Sequence, residues 1–131
     1  IVIKLLSIKN LSLLDIAEKI WIDRKKIKEI SDSGHEIGLH SHNHPYEMKN
    51  LNYKTQFFEY CKNKDLITSI IRKEPISVAY PLGSYNYETL KVMKKLKIKL
   101  GFRSSSCKIT EIKTLGEDLL LLPRIDSSNL Q

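Results

Sequence analysis

Short apolar segments rich in β-branched residues alternate with amphipathic segments along this chain, and this alternation constrains its fold most strongly. The apolar segments predict strands at residues 1–6, 36–40, 76–80, 98–102 and 119–125. The amphipathic segments predict helices at residues 12–20, from an N-cap at Asp23 to Gly34, at residues 52–72 and at residues 87–96. Strands that alternate with helices predict an α/β fold, in which helices cover a parallel sheet or barrel.

The longest predicted helix has a stripe of apolar residues that we expect to face the core: Phe57, Phe58, Cys61, Leu66, Ile67, Ile70 and Ile71. Residues 81–84 are predicted to form a turn and residues 104–117 a loop. The length of 131 residues suits one domain, so we expect a single domain, complete or partial, over residues 1–131.

The formal net charge of +7 comes from 22 Lys and Arg against 15 Asp and Glu. These lysines are spread along the predicted helices, and no interleaving of basic and aromatic residues indicates nucleic-acid binding. We therefore expect no nucleic-acid partner. We also expect no transmembrane segment, because the longest strongly apolar stretch, residues 119–122, is far too short to span a bilayer.

All four histidines lie within ten residues: His35, His40, His42 and His44. His40 and His44 are four residues apart at the end of a predicted strand, so a coil after the strand would bring their rings together. Two imidazoles suit zinc, cobalt or nickel, and a hydrolytic site needs a third ligand, usually a carboxylate. The alternative is a surface loop that is rich in histidine by chance.

The other two histidines are weaker candidates. His42 lies between the pair and cannot easily share their direction, so we expect it to be exposed or to support the ligands. His35 begins the strand and is expected to have a structural role. In parallel α/β folds chemistry gathers at the carboxyl ends of strands, where residues 40–45, the turn at 81–83 and Arg124 are all expected.

Three segments resemble the motifs of the polysaccharide deacetylases, the NodB-homology or carbohydrate esterase family 4 group. Residues 32–45 (DSGHEIGLHSHNHP) resemble the metal-binding motif, and Trp21 with the following helix resembles its lead-in. Residues 78–86 (VAYPLGSYN) resemble the third motif, and residues 122–126 (LPRID) resemble a strand near the end of such domains. The match covers residues 20 to 126 in the correct order.

The resemblance implies a deformed (β/α) barrel and a divalent metal, usually zinc, held by His40 and His44. It implies a hydrolase that removes acetyl groups from an amino sugar or polysaccharide, so the expected partner is a carbohydrate. The backbone N–H of Leu82 would stabilise the oxyanion, and Tyr80 and Pro81 would shape that wall as substrate-binding residues. We suggest that Arg124 orients a catalytic carboxylate. The alternative role for Arg124 is that of a surface residue in an ion pair.

Three departures from the family's pattern limit this interpretation. The opening Thr-Phe-Asp-Asp motif, which supplies the catalytic base and the third ligand, is absent, and we expect it to lie upstream of Ile1. Leu82 stands where an aromatic residue is usual. No late Leu-x-His motif supplies the general acid. A catalytically incomplete relative that binds glycan or has a structural role is therefore the alternative, and both an exported and a cytoplasmic bacterial location are open.

Overall fold

The computed structural model describes residues 12–106 and 118–124. Its helices and strands are α1 (Leu13–Ile20), α2 (Arg24–Asp32), α3 (Tyr53–Ile71), β1 (Ser77–Ala79), α4 (Tyr87–Lys95), β2 (Leu100–Ser106) and β3 (Leu122–Arg124). Two 3₁₀ turns, Met48–Asn50 and Pro81–Gly83, lie in the connections before α3 and after β1. None of the helices in the described part of the chain is both long enough and apolar enough to cross a membrane.

The strands form one parallel sheet with β2 in the middle. Val78 of β1 pairs with Gly101 of β2, and Phe102 of β2 pairs with Leu122 of β3. The β2–β3 register shifts before Ser106 pairs with Arg124. The strands are parallel and α4 connects β1 to β2, which confirms the predicted α/β class.

One buried cluster links the sheet to the helices, and α3 packs between α2 and α4. Its most buried members come from α3, α4, the strands and their connections: Leu39, Met48, Tyr60, Val78, Tyr80, Val92 and Met93. α1, by contrast, has no buried residue. The single core of the described residues is consistent with one domain, and the extent of that domain over residues 1–131 stays a prediction.

Capping residues fix the ends of the helices close to their predicted positions. Asp23 accepts a hydrogen bond from the backbone N–H of Lys26 at the start of α2, as predicted. Asn52 caps α3 in the same way by accepting from the N–H of Thr55, and α3 ends at Arg72, which has the left-handed φ of 61°. The predicted helices at residues 12–20, 52–72 and 87–96 are therefore confirmed to within about a residue.

Several strand predictions need correction. Residues 36–40 do not form a strand, because within the described chain only Leu39 makes ladder bonds to β1: its N–H donates to Ser77 at 2.8 Å, and its carbonyl accepts from Ala79 at 2.9 Å. The strand predicted at residues 98–102 begins at Leu100 and runs on to Ser106, so residues 104–106 are not loop. β2 extends this far because Ser106 pairs with Arg124 across the register shift.

The last predicted strand is shorter than expected. Residues 119–120 form a turn, closed by the N–H of Leu121 donating to the carbonyl of Asp118 at 2.9 Å, and only Leu122–Arg124 is extended. Phe58 was predicted to be buried but is 50% exposed, since the buried face of α3 includes the polar residues Gln56 and Glu59 instead. The predicted strand at residues 1–6, the remaining loop at 107–117 and Ile125 lie outside the described residues.

Candidate metal and substrate site

His40 lies beside the carboxyl end of β1 with one ring nitrogen fixed by the backbone. Its Nδ1 is 2.7 Å from the carbonyl oxygen of Ala79. A carbonyl can only accept, so this bond requires a proton on Nδ1 and leaves Nε2 as the nitrogen that could bind a metal. A backbone carbonyl that fixes the tautomer in this way is the usual companion of a metal-binding histidine. His40 as a whole is exposed to solvent.

His44 lies next to His40, as the four-residue spacing predicted. The two ring centroids are 5.0 Å apart, and the ring planes are inclined at 57°. The chain between them coils through two left-handed residues, Ser41 with φ 67° and His44 with φ 52°. The Oγ of Ser41, which is buried, accepts a hydrogen bond from the N–H of His44 at 3.1 Å and so closes the coil.

Two polar residues of α3, Glu59 and Asn63, accept hydrogen bonds from the backbone of this coil. The carboxylate of Glu59 accepts from the N–H groups of His42 and Asn43 at 3.1 and 2.8 Å, and from the side chain of Asn43 at 2.7 Å. One turn further along α3, the side-chain oxygen of Asn63 accepts from the N–H of His40 at 2.9 Å. Burial raises the pKa of Glu59, but the hydrogen bonds from Asn43 and His42 outweigh it, so the pKa is below its ordinary value.

Only Tyr80 separates the Pro81–Gly83 turn from β1, so the turn begins two residues beyond the carbonyl that fixes His40. Leu82 has left-handed geometry (φ 50°, ψ 19°), and its side chain is 58% exposed. The next residue, Gly83, also has a positive φ of 67° and packs so closely on Ser104 of β2 that a Cβ would collide with it. The turn therefore lies against β2 with Leu82 at the surface.

Tyr80 precedes this turn, and Pro81 is its first residue. Tyr80 is 1% exposed, its hydroxyl donates to the carbonyl of Leu120 at 2.9 Å, and burial raises its pKa. Pro81 is also fully buried. Side chains this buried can support the turn that carries Leu82. The expectation that Tyr80 and Pro81 contact substrate stays a prediction. Because their side chains are buried, such a contact would involve their backbone atoms.

A third segment, residues 46–50, follows the histidine pair in the sequence and is bonded to the chain after the Pro81–Gly83 turn. The N–H of Lys49 donates to Ser84 Oγ at 3.0 Å, and the side chain of Asn86 donates to the carbonyl of Lys49 at 2.6 Å. These bonds join the chain that follows His44 to the chain that follows Leu82. Tyr46 at its start and Tyr87 beyond Asn86 are 80% and 71% exposed, so each offers an aromatic ring to solvent.

Three other residues were considered as site residues from the sequence: Arg124, His42 and His35. Arg124, at the end of β3, is exposed, and its Nε donates to the carbonyl of Arg103 at 2.7 Å. The ion pairs of the described residues do not include Arg124, so its carboxylate-orienting role stays a prediction. His42 and His35 are both exposed, and His42 takes part in the coil through its backbone N–H.

The described residues bring together two candidate ligands for a divalent metal, His40 and His44. Within residues 12–106 and 118–124, no three His, Cys, Asp or Glu side chains converge into a metal-binding group. The fixed tautomer of His40 and the adjacent ring of His44 nevertheless fit a nitrogen-preferring ion such as zinc. The site is therefore a pair of candidate ligands that requires a further one.

Sequence reasoning missed the residues that hold the pair. Glu59 and Asn63 are four apart on α3, on a face that otherwise carries core residues such as Tyr60 and Ile67. A charged residue within an apolar helical stripe could have indicated them from the sequence. Such a group is buried only when it has hydrogen-bond partners, so its position predicts a bonded structural role. The role of the Ala79 carbonyl left no signal, since it depends on the backbone alone.

The fold and the histidine pair together define an α/β domain with candidate metal ligands at the carboxyl edge of a parallel sheet. The family model for polysaccharide deacetylases matches residues 14–101. The chain therefore belongs to the polysaccharide deacetylase family, which confirms the resemblance seen in its motifs.

Similar proteins carry the same assignment. YxkH of Bacillus subtilis (strain 168), described as a polysaccharide deacetylase, is 29% identical over 86 residues, which cover 66% of this chain and 30% of YxkH. The Streptococcus pyogenes deacetylase PplD, solved in complex with acetate, is 28% identical with a TM-score of 0.67, over 79% of this chain and 44% of PplD. This structural likeness confirms the predicted deacetylase-type fold.

One structural neighbour differs in activity. The wild-type Bacillus anthracis protein BA3943, a pseudoenzyme of carbohydrate esterase family 4, is 25% identical with a TM-score of 0.54, over 57% of this chain and 26% of its own. The chain spans less than half the length of each of these three relatives. Membership of the family therefore includes both deacetylases and a pseudoenzyme.

Proposed function

We propose that this chain carries part of the active site of a metal-dependent carbohydrate deacetylase that acts on an N-acetylated sugar or polysaccharide. The observation that supports it best is the geometry of His40 and His44. One ring has its tautomer fixed by the Ala79 carbonyl at 2.7 Å, and the second ring is 5.0 Å away. Two oriented imidazoles in an exposed position are what a catalytic zinc ion requires from the protein, together with a third ligand and an open position.

The residues of this chain have distinct tasks in the proposal. His40 and His44 hold the metal, which when bound supplies Lewis-acid activation of the acetyl group and of water. The N–H of Leu82, in the first turn after β1, donates a hydrogen bond to the oxygen on which negative charge develops. Arg124 orients a carboxylate through the guanidinium donors that its bond to Arg103 does not use.

We assign substrate recognition to Tyr46, an exposed aromatic residue close to the histidine pair in the sequence. Tyr46 follows His44 by two residues and is 80% exposed. A tyrosine offers an apolar face for the C–H groups of a sugar ring and a hydroxyl for its polar edge. The buried side chains of Tyr80 and Pro81 contribute indirectly, because they keep the turn that carries Leu82 in position. The acetate bound to PplD is in keeping with an acetyl-bearing substrate.

A second candidate is a catalytically incomplete relative that binds glycan without hydrolysing it. It is favoured by the likeness to the pseudoenzyme BA3943 and by the lack of a third converging ligand among the described residues. The two candidates differ in whether acetate is released.

The test is acetate release by the full-length protein from a panel of N-acetylated sugars and oligosaccharides, before and after removal of metal with a chelator. The proposal predicts acetate release that the chelator abolishes and added zinc restores. Binding of the oligosaccharides with no acetate release at any metal content would instead support the glycan-binding relative.

A further inference from the structure

Glu59 is a buried carboxylate whose hydrogen bonds all reach into the segment between the two candidate metal ligands. It is 5% exposed, and it accepts from the backbone of His42 and Asn43 and from the side chain of Asn43, at distances of 2.7–3.1 Å. A buried carboxylate is costly unless hydrogen bonds compensate it, so the three donors and the carboxylate depend on one another. Glu59 itself does not contact His40 or His44 in any of these bonds.

The coil that Glu59 holds has an intrinsically unfavourable backbone. Ser41 and His44 both have left-handed φ values, of 67° and 52°, although neither is glycine. Such residues keep this conformation only when the surrounding structure enforces it. Three groups hold the coil in this conformation by accepting hydrogen bonds from its backbone. Ser41 Oγ accepts from the N–H of His44, and Asn63 accepts from the N–H of His40. The carboxylate of Glu59 accepts from the N–H groups of His42 and Asn43.

We propose that Glu59 is a positioning residue for the metal site: it fixes the His40–His44 coil so that both imidazoles are arranged for a metal before the metal arrives. This inference rests on the proposed function, since it takes His40 and His44 as ligands. Groups that orient the ligands of a metal, rather than the metal, typically change its affinity when they are removed. Glu59 therefore contributes to metal affinity through the coil, without contacting the metal itself.

The alternative is that Glu59 only stabilises the fold, and the two roles differ in what they predict for metal affinity. Gln56 provides the matched control, because it is also buried on α3, one turn earlier. Its amide donates to the carbonyl of Leu51 at 2.7 Å, and it accepts from the hydroxyl of Thr89 at 2.6 Å. Gln56→Ala thus removes a comparable buried network that is not bonded to the histidine coil.

The experiment measures the affinity of the full-length protein for zinc and cobalt, by competition with a chromophoric chelator, beside its stability in urea. We expect Glu59→Ala to weaken metal binding by about 10- to 100-fold, while Gln56→Ala lowers stability and leaves metal affinity within about twofold. Glu59→Gln is expected to lie between the parent and Glu59→Ala. Its carbonyl can accept the two backbone N–H groups, and its NH₂ can meet the Asn43 amide if that amide turns over.

The outcomes separate this inference from the function beneath it. If the parent binds metal and His40→Ala loses it, but Glu59→Ala and Glu59→Gln bind as tightly as the parent, the positioning role is wrong and the metal site stands. If Gln56→Ala weakens binding as much as Glu59→Ala does, affinity follows global stability, and the positioning role is again wrong. If the parent binds no metal, both proposals fail. Should Glu59→Ala not fold, Glu59→Gln against Gln56→Ala decides the question.

Discussion

Gly83→Ala should destabilise the protein through one identifiable collision. Gly83 has a φ of 67°, where an alanine costs about 1 kcal/mol more than a glycine. A Cβ at this position would be 3.0 Å from the Cβ of Ser104, 3.3 Å from its backbone nitrogen and closer still to its Oγ. The hydroxyl can rotate away, but the other two atoms move only if the Pro81–Gly83 turn shifts from β2, and overpacking of this kind costs about 1–3 kcal/mol.

The two contributions give an expected loss of about 2–4 kcal/mol in the free energy of unfolding. With a urea m-value of about 2 kcal/mol/M, the unfolding midpoint should fall by roughly 1–2 M. Because the turn carries Leu82, acetate release should fall as well, even under conditions where the variant is fully folded.

Ser104→Gly provides the control, since it removes the colliding Cβ and Oγ. Alone it should cost about 0.5–1 kcal/mol, as glycine does in a strand. The double variant Gly83→Ala/Ser104→Gly should recover about 1–2 kcal/mol of the sum of the single losses, which a double-mutant cycle in urea measures. Additive losses would refute the collision and leave only the backbone conformation of Gly83 as the cause.

Three further predictions concern residues around the site. Tyr80→Phe should lower the free energy of unfolding by about 1–2 kcal/mol, because it leaves the buried carbonyl of Leu120 without its donor; equal urea stability of the two proteins would contradict this. Tyr46→Ala should raise KM severalfold while kcat and the urea midpoint change little, and an unchanged KM would remove Tyr46 from substrate recognition. The lowered pKa of Glu59 predicts stability that is present above about pH 4.5 and lost as the pH falls through the folded-state pKa; Glu59→Gln should therefore lose less stability than the parent between pH 5 and 3, and parallel curves would contradict the assignment.

The predictable part of the fold consists of elements whose signals are local. α3 has Asn52 as its N-cap and a long apolar stripe, and it lies within a residue of its predicted bounds. Phe58 shows where the pattern fails: the stripe suggested that it faces the core, but that place is taken by Gln56 and Glu59. Glu59 is bonded to His42 and Asn43 in a distant loop, and Gln56 to Leu51 and to Thr89 of α4. Helical periodicity contains no information on such partners.

The strands were less predictable than the helices, because strand bounds depend on the neighbouring chain. Leu39 was expected to lie within a strand at residues 36–40, yet it makes a single bridge to Val78. Ser104–Ser106 were expected to be loop and continue β2, since pairing with β3 overrides the low strand propensity of serine.

The candidate site divides in the same way. The spacing of His40 and His44 predicted that their rings would meet, since that follows from the geometry of four residues in a coil. Two features could not be predicted, because they depend on where β1 and α3 lie. One is the tautomer of His40, and the other is the set of hydrogen bonds that Glu59 and Asn63 accept from the coil. The hydrogen-bond partner of the Tyr80 hydroxyl likewise could not be predicted, because Leu120 is 40 residues away in the sequence.

The most direct test of the account is the metal content of four single variants of the full-length protein: His40→Ala, His44→Ala, His42→Ala and His35→Ala. The account predicts that the first two lose bound zinc and acetate release together. It also predicts that the other two keep the zinc stoichiometry of the parent, since both side chains are exposed and neither is assigned to the metal. Unchanged zinc stoichiometry in His40→Ala and His44→Ala would contradict the ligand assignment and, with it, the proposed chemistry.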